Sequence, residues 1–297
     1  MWFEGAGYKS VYSKVIETQA WLFALGLGIF VVFFGLNVYL AARPQMRSPG
    51  PGFTESEAAS LRRVYLLAII AGTLFLGVIF GTIAASHWDT VLSYLSRQSF
   101  GIKDPQYGRD VGFFVFTLPA MRFVYGWLMG MAIITTLAAA ALYLFRYLST
   151  GSDVVTTRQS RVHLSFLLLS VVALFVWRYW LNRYELDLSP NGIVFGATYT
   201  DIHARLPFIY TGMALAIATS VALLLTAFGR TILLPIGAAV AWVAVTVVGG
   251  IAYPASVQRF NVQPNELQKE REYIQRNIDM TRQAFGQIGR ASCRERV

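Results

Sequence analysis

Six long apolar runs fill most of the first 253 residues: Trp21–Ala42, Tyr65–Ser86, Phe123–Tyr147, Leu164–Leu181, Phe208–Phe228 and Ile232–Tyr253. At about 1.5 Å of rise per residue, each makes a helix able to cross a hydrocarbon layer roughly 30 Å thick. The fourth is the shortest. None alternates apolar and polar residues with period two. Lipid offers the backbone no hydrogen-bond partners, so continuous apolarity predicts helices rather than barrel strands. Aromatic residues gather at the run ends, with Trp21 and Tyr39 on the first, Tyr65 and Trp88 around the second, and Tyr143 and Tyr147 late in the third. That is the pattern of side chains anchored at a membrane interface. The predicted fold is an all-α membrane protein, a polytopic bundle of about six transmembrane helices spanning residues 1–253.

The connections fall into two classes. Arg43–Val64, Arg146–His163 and the short turn Gly229–Thr231 are brief and dense in arginine. Residues 1–20, His87–Arg122 and Asn182–Pro207 hold a similar number of Lys and Arg over about twice the length. Density of positive charge assigns the first set to the cytoplasm and the second to the outside. Residues 1–20 lack the basic start, apolar core and small-residue cleavage site of a signal peptide. Their mixture of aromatics and charges fits an interfacial segment or the end of a longer loop. In the outer loops, Trp88, Val91, Leu92 and Leu95 share one helical face, which predicts an interfacial helix over His87–Ser99. Asp104-Pro105 and Gly108 mark turns. Gly77–Gly81 and Gly126–Gly130 have the spacing that lets helix backbones approach, read here as packing inside one bundle. Asn37, polar within the first run, is read as an interhelical hydrogen bond.

After Pro254 the chain turns polar. Phe260-Asn261-Val262 reads as a short extended piece. Asn265 is a candidate N-cap, with Glu266 in the first turn of a helix. Leu267, Ile274, Ile278, Thr281 and Phe285 recur on one stripe of that helix. Such a stripe needs a covering surface, so residues 254–287 are expected to begin a soluble extracytoplasmic domain that continues beyond this sequence.

Composition supports a membrane location. Of 297 residues, 55% are hydrophobic and 14% charged, about half the charged share of ordinary soluble domains. The formal charge of +9 sits between apolar runs, where basic loops meet anionic headgroups; it does not call for nucleic acid. The lone cysteine, Cys293, excludes an internal disulfide. It lies in IGRASCRERV, which back-translates to a string resembling a short-read sequencing adapter. Residues 288–297 are therefore expected to be an artefact of the sequence's source.

Signals of chemistry are few. His87, His163 and His203 form no metal-binding spacing, no glycine-rich phosphate loop follows a strand, and no GxSxG elbow occurs. No metal, cofactor or catalytic residue is assigned. Arg178 lies near the end of the fourth run, with no acid inside any run to pair with it. That lack argues against a coupled transporter. The densest polar stretch between runs supplies a candidate patch of Arg183, Glu185, Asp201, His203 and Arg205. It reads either as a salt-bridged loop orienting two spans or as a grip for an anionic headgroup or lipid-linked sugar.

DPQYGRDVGFFVFTLP at 104–119, RYELDLSPNGIVFGATYTDIHARLP at 183–207, YPASVQRF at 253–260 and the adjoining NVQPNELQKEREYIQRNIDMTRQAFG resemble uncharacterised protein family 0182, large bacterial membrane proteins. The resemblance extends from about Trp2 to Gly286. It implies about seven N-terminal membrane helices followed by a large extracytoplasmic domain, so a helix before Met1 and most of the soluble domain are expected to be missing. It implies no biochemical activity. The expected role is a multi-pass protein of the bacterial cell membrane that anchors an outside domain, with the bilayer as its partner and protein partners unassigned. The alternative is a transporter or lipid-handling protein.

Overall fold

The computed structural model describes residue 5 and residues 9–47, 54–150, 157–190, 195–229 and 233–286. Among these, the regular structure is helical; a single antiparallel bridge pairs Lys103 with Asp110. The helices are α1 (Lys9–Arg47), α2 (Glu55–Ser86), α3 (Trp88–Leu95), α4 (Leu118–Thr150), α5 (Arg158–Glu185), α6 (Leu206–Phe228), α7 (Leu233–Val247), α8 (Tyr253–Val257) and α9 (Glu266–Ala284). Six helical stretches among the described residues are long and apolar enough to cross a membrane; they contain the first five apolar runs and residues 234–253 of the sixth. Residues 288–297 and Arg230 lie outside the described residues.

The helices outrun the apolar segments. Residues 9–20 continue α1 without a break. α2 starts ten residues before Tyr65, at a reciprocal cap in which Thr54 N donates to Glu57 Oε2 (2.9 Å) and Glu57 N to Thr54 Oγ1 (3.4 Å). Such a cap satisfies two of the otherwise orphaned first-turn donors.

Proline explains the irregular helix. Wide, π-helical turns occur at Phe113–Thr117, Asp201–Arg205, Val248–Ala252 and Gln258–Val262. In each case a proline follows two residues later: Pro119, Pro207, Pro254 and Pro264. Proline has no N–H, and its ring pushes against the carbonyl four residues back. The residue before it therefore reaches five back instead. Leu206 N donates to Asp201 O, Tyr253 N to Val248 O and Gln263 N to Gln258 O. Helix thus persists through Pro254, and Phe260-Asn261-Val262 is coiled in a wide turn rather than extended. Asn265 does precede α9, but without a side-chain capping bond.

The chain divides into two compact units, each described by itself. The first comprises residues 1–98, 115–174 and 220–232. Its core is Phe30, Phe34, Val38, Phe80 and Met131. The Phe30 and Phe80 rings stack at 4.4 Å, and Trp127 Nε1 donates to Phe80 O at 3.0 Å. α1 and α2 touch through glycine: a Cβ added to Gly81 would lie 2.9 Å from Phe23 O, and one added to Gly77 would lie 2.9 Å from Val31 Cγ2. Gly126 has nothing within 4 Å of such an atom, so only the first glycine pair is a close approach. Outward faces are apolar. Trp21 is 70% exposed and Phe228 77%, with Val32, Phe75 and Leu148 similar. Apolar surface on this scale is untenable in water and natural against lipid tails.

The second unit comprises residues 99–114, 175–219 and 233–297. α5 and α7 are tied by a short relay: Trp242 Nε1 donates to Tyr179 Oη (3.0 Å), which is 2.9 Å from Thr246 Oγ1. Gly249 admits no side chain, because a Cβ there would overlap the Phe208 ring at 1.8 Å. The loop 99–112 is held by Asp110, whose carboxylate accepts from Ser99 Oγ and from the backbone N–H of Phe100, Gly101 and Gly112. The Ser99 bond, followed by those backbone donors, keeps the Asp110 carboxyl below its ordinary range.

α9 packs in an unexpected sense. Glu270 and Tyr273 are buried against the unit, while Leu267 is 79% and Phe285 75% exposed. Ile274 is half-buried beside them, so only the ends of the apolar stripe are left open, along with the polar face of Arg271, Glu272, Gln275 and Asp279.

Candidate functional site

The polar side chains of the second unit gather where apolar helix gives way to loop. α5 has 28 residues, about 42 Å of helix, against roughly 30 Å of hydrocarbon. Its apolar run stops at Leu181, so Arg183, Glu185 and Asp187 stand beyond the lipid core. Arg178 is two turns before Glu185 on the same face. Its Nη1 and Nη2 meet Glu185 Oε1 and Oε2 at 2.9 and 3.1 Å. The acid that Arg178 lacks within its own run is supplied from just past the run's end, in a two-pronged geometry that suits guanidinium. Arg183 lies over the rings of Tyr184 (4.5 Å) and Trp180 (5.2 Å) and donates to Tyr184 Oη at 2.7 Å. Tyr107 Oη donates to Arg183 O. Burial, then the nearby Asp187 carboxylate, raises the Tyr107 hydroxyl above its usual range.

Among the described residues of this unit, two polar cavities stand out. The smaller, about 210 Å3, is lined by Asp104, Gln106, Asp187, Tyr273, Arg276 and Asn277 among others. Asp104 Oδ2 accepts from the backbone N–H of Gln106 (2.9 Å) and Tyr107 (2.6 Å), an arrangement that shapes the 104–108 turn. Arg276 Nη1 donates to Gln106 Oε1 at 2.6 Å, and Asn277 Nδ2 to Phe195 O at 2.6 Å. Asp187 Oδ2 is buried and has no hydrogen-bond partner. Burial, and after it the neighbouring Asp104 carboxylate, pushes the Asp187 carboxyl up to about 8. Two neighbouring acids, one of them largely desolvated, do not both ionise cheaply.

The larger cavity, about 360 Å3, is lined by Thr198, Thr200, Asp201, Arg205, Gly250 and Gln258, with Ile251 and Pro254 on its apolar side. Asp201 is 1% exposed. Its Oδ1 accepts from Arg205 Nη1 at 2.7 Å and its Oδ2 from Thr198 N at 3.2 Å, while Asp201 N donates back to Thr198 Oγ1 at 3.2 Å. Thr200 Oγ1 donates to Gln258 Oε1. Beside it, Tyr199 N donates to both oxygens of Glu270, each at 3.1 Å. The His203 ring stacks on Tyr199 at 4.0 Å.

Of the five patch residues expected from sequence, the structure brings Asp201 and Arg205 to one cavity. Arg183, Glu185 and His203 line neither cavity and each has a local partner of its own. The residues not anticipated are Asp104, Asp187 and Arg276 in the smaller cavity, and Gly250 and Gln258 in the larger. A usable signal for the latter stood in the sequence: Gly249-Gly250 followed by Pro254 disrupts the end of an apolar run. Among the described residues, no three His, Cys, Asp or Glu side chains converge as metal ligands.

The chain matches the Uncharacterised protein family (UPF0182) over residues 1–291. It belongs to that family. UPF0182 proteins of Frankia alni, Kocuria rhizophila and Cupriavidus necator are 34%, 35% and 36% identical to it, each over 96% of this chain. The alignments cover 28%, 29% and 32% of those proteins, so the chain spans less than a third of their length. The residues of both cavities lie within the UPF0182 match. No solved structure matches the chain at a significant level.

Proposed function

We propose that this chain is the membrane-embedded part of a bacterial envelope protein, with a multi-pass bundle that holds a polar domain on the outer face of the cell membrane. One observation carries the reading. After the sixth apolar run the chain stays helical, turns polar and docks α9 through Glu270 and Tyr273, leaving Leu267 and Phe285 at the two ends of its apolar stripe exposed. A stripe left open in this way suits a segment at the root of a larger soluble domain. Two facts add support. The chain spans under a third of its relatives' length, and the arginine-dense connections are the short ones that contain Arg43, Arg62, Arg63, Arg146, Arg158 and Arg161. Positive density of that kind belongs to the cytoplasmic side, which puts both ends of the described chain outside.

Reporter fusions test the sidedness. Alkaline phosphatase fused after Pro264 should be active, and a fluorescent protein that folds only in the cytosol should stay dark at that position. Bright cytosolic fluorescence there would reverse the proposed orientation. In the full-length protein, residues after Gly286 should be accessible to protease added outside intact spheroplasts.

A further inference from the structure

We infer that the Asp201–Arg205 cavity is a binding site for the headgroup of an anionic phosphoglycerol lipid. This goes beyond the anchoring role. Its position comes first. Arg205 stands three residues before Phe208, where the fifth apolar run begins, and Gly250 and Ile251 are in the last turn of the sixth, which ends at Tyr253. A cavity formed where two spans end opens at headgroup level.

Its chemistry is that of a phosphodiester site. Asp201, buried and bonded from the other side by Thr198 N, fixes one N–H of Arg205 and hence the plane of the guanidinium. Arg205 keeps 36% of its side chain exposed against 1% for Asp201. The reachable face of the pair is therefore the cation, with its remaining donors oriented for the paired oxygens of a phosphate. Polar groups for a glycerol hydroxyl stand beside it. Gln258 spends its Oε1 on Thr200 and retains its amide N–H groups. The wall opposite, Ile251 and Pro254, continues as apolar surface for the glycerol and acyl portion; Ile251 is largely exposed. At about 360 Å3 the cavity is of ligand size.

Gly249 must lack a side chain because Phe208 occupies the space, whereas a Cβ at Gly250 would meet nothing within 4 Å, and its backbone is not in the left-handed region. Position 250 therefore accepts a side chain that can extend into the cavity it lines.

Native mass spectrometry and thermal unfolding of the purified, delipidated chain in detergent test the site. Probes are phosphatidylglycerol, phosphatidylcholine and inorganic phosphate. Phosphatidylglycerol should be retained at about one molecule per chain and raise the unfolding temperature, and the other two should do neither. Arg205→Lys keeps a cation for Asp201 but loses the fork, and should weaken retention roughly tenfold. Gly250→Leu leaves the ion pair intact and should abolish retention by filling the cavity; the unfolding temperature without lipid reports whether each variant is folded. If Gly250→Leu does not fold, Arg205→Lys decides alone. Equal retention by the wild type and Arg205→Lys overturns the site. Equal stabilisation by phosphatidylcholine removes the phosphoglycerol assignment, and equal stabilisation by inorganic phosphate replaces the lipid with a soluble anion.

Discussion

His163 donates from Nε2 to Asn37 Oδ1 at 3.0 Å, joining α5 to α1 inside the bundle. The bond sets the directions of its neighbours. With Nε2 as donor, His163 Nδ1 is the acceptor for Tyr143 Oη of α4 at 2.9 Å. Asn37 Nδ2 in turn donates to Phe33 O at 2.7 Å. Three helices are thus linked by one chain of neutral hydrogen bonds, and Asn37 is the interhelical contact its position in an apolar run suggests.

Breaking this chain should loosen the bundle by a modest amount. Asn37→Leu and Tyr143→Phe are each expected to cost about 1 kcal/mol, the scale of hydrogen bonds between membrane helices. His163 is shared by both bonds, so the double variant should cost less than the sum of the singles. Thermal or denaturant unfolding in detergent micelles measures this. Strict additivity would mean that the three side chains do not act as one chain.

The two glycine pairs should respond in opposite ways. Gly81→Ala places a methyl group 2.9 Å from Phe23 O and should destabilise by about 1–3 kcal/mol, as over-packing does. Gly126→Ala meets no atom within 4 Å and should be neutral or slightly stabilising, since alanine is the better helix former. Unfolding temperatures of the two variants, compared side by side, decide it; equal losses would contradict the close α1–α2 crossing.

Stability should fall as pH rises through the range set by Asp187. Its carboxyl titrates at about 8 when folded, against 3.8 as the ordinary value. Between those values the folded chain holds a proton that the unfolded chain has released, so unfolding becomes easier as pH rises and levels off above about 8. Asp187→Asn cannot ionise and should flatten that dependence, unfolding at a higher temperature than wild type at pH 8 and above. Unfolding scans from pH 5 to 9 check this. An unchanged slope in the variant would assign the dependence to another group.

Restoring an N–H at residue 254 should change the register of the helix beyond it. Pro254→Ala allows the ordinary four-residue bond to form, closing the wide turn at Val248–Ala252 and rotating the downstream helix by about 100° per residue recovered. Glu270 would then leave Tyr199 N, its partner at 3.1 Å. Glu270→Ala should therefore destabilise the parent and have little further effect on the Pro254→Ala background, as read by thermal unfolding in detergent. Equal losses on both backgrounds would show that proline does not set the register.

The sequence alone determined the six membrane helices, since an uninterrupted apolar run of that length has only one way to satisfy its backbone in lipid. Helix ends were less legible. The Thr54–Glu57 cap and the first turns of α1 are polar, and a reading led by hydropathy passes over them. Family membership was also legible, because it rests on ordered stretches of residues rather than on shape. Pairing was decided only by the tertiary structure. Which glycines touch a neighbour, and that Asp201 and Arg205 share a cavity with Gly250 while Asp187 meets Asp104, all depend on residues far apart in the chain. Hydropathy reports each residue's preference for lipid or water. It carries no information about which helix lies alongside, and a buried charge or a missing side chain acquires its meaning only from what stands opposite.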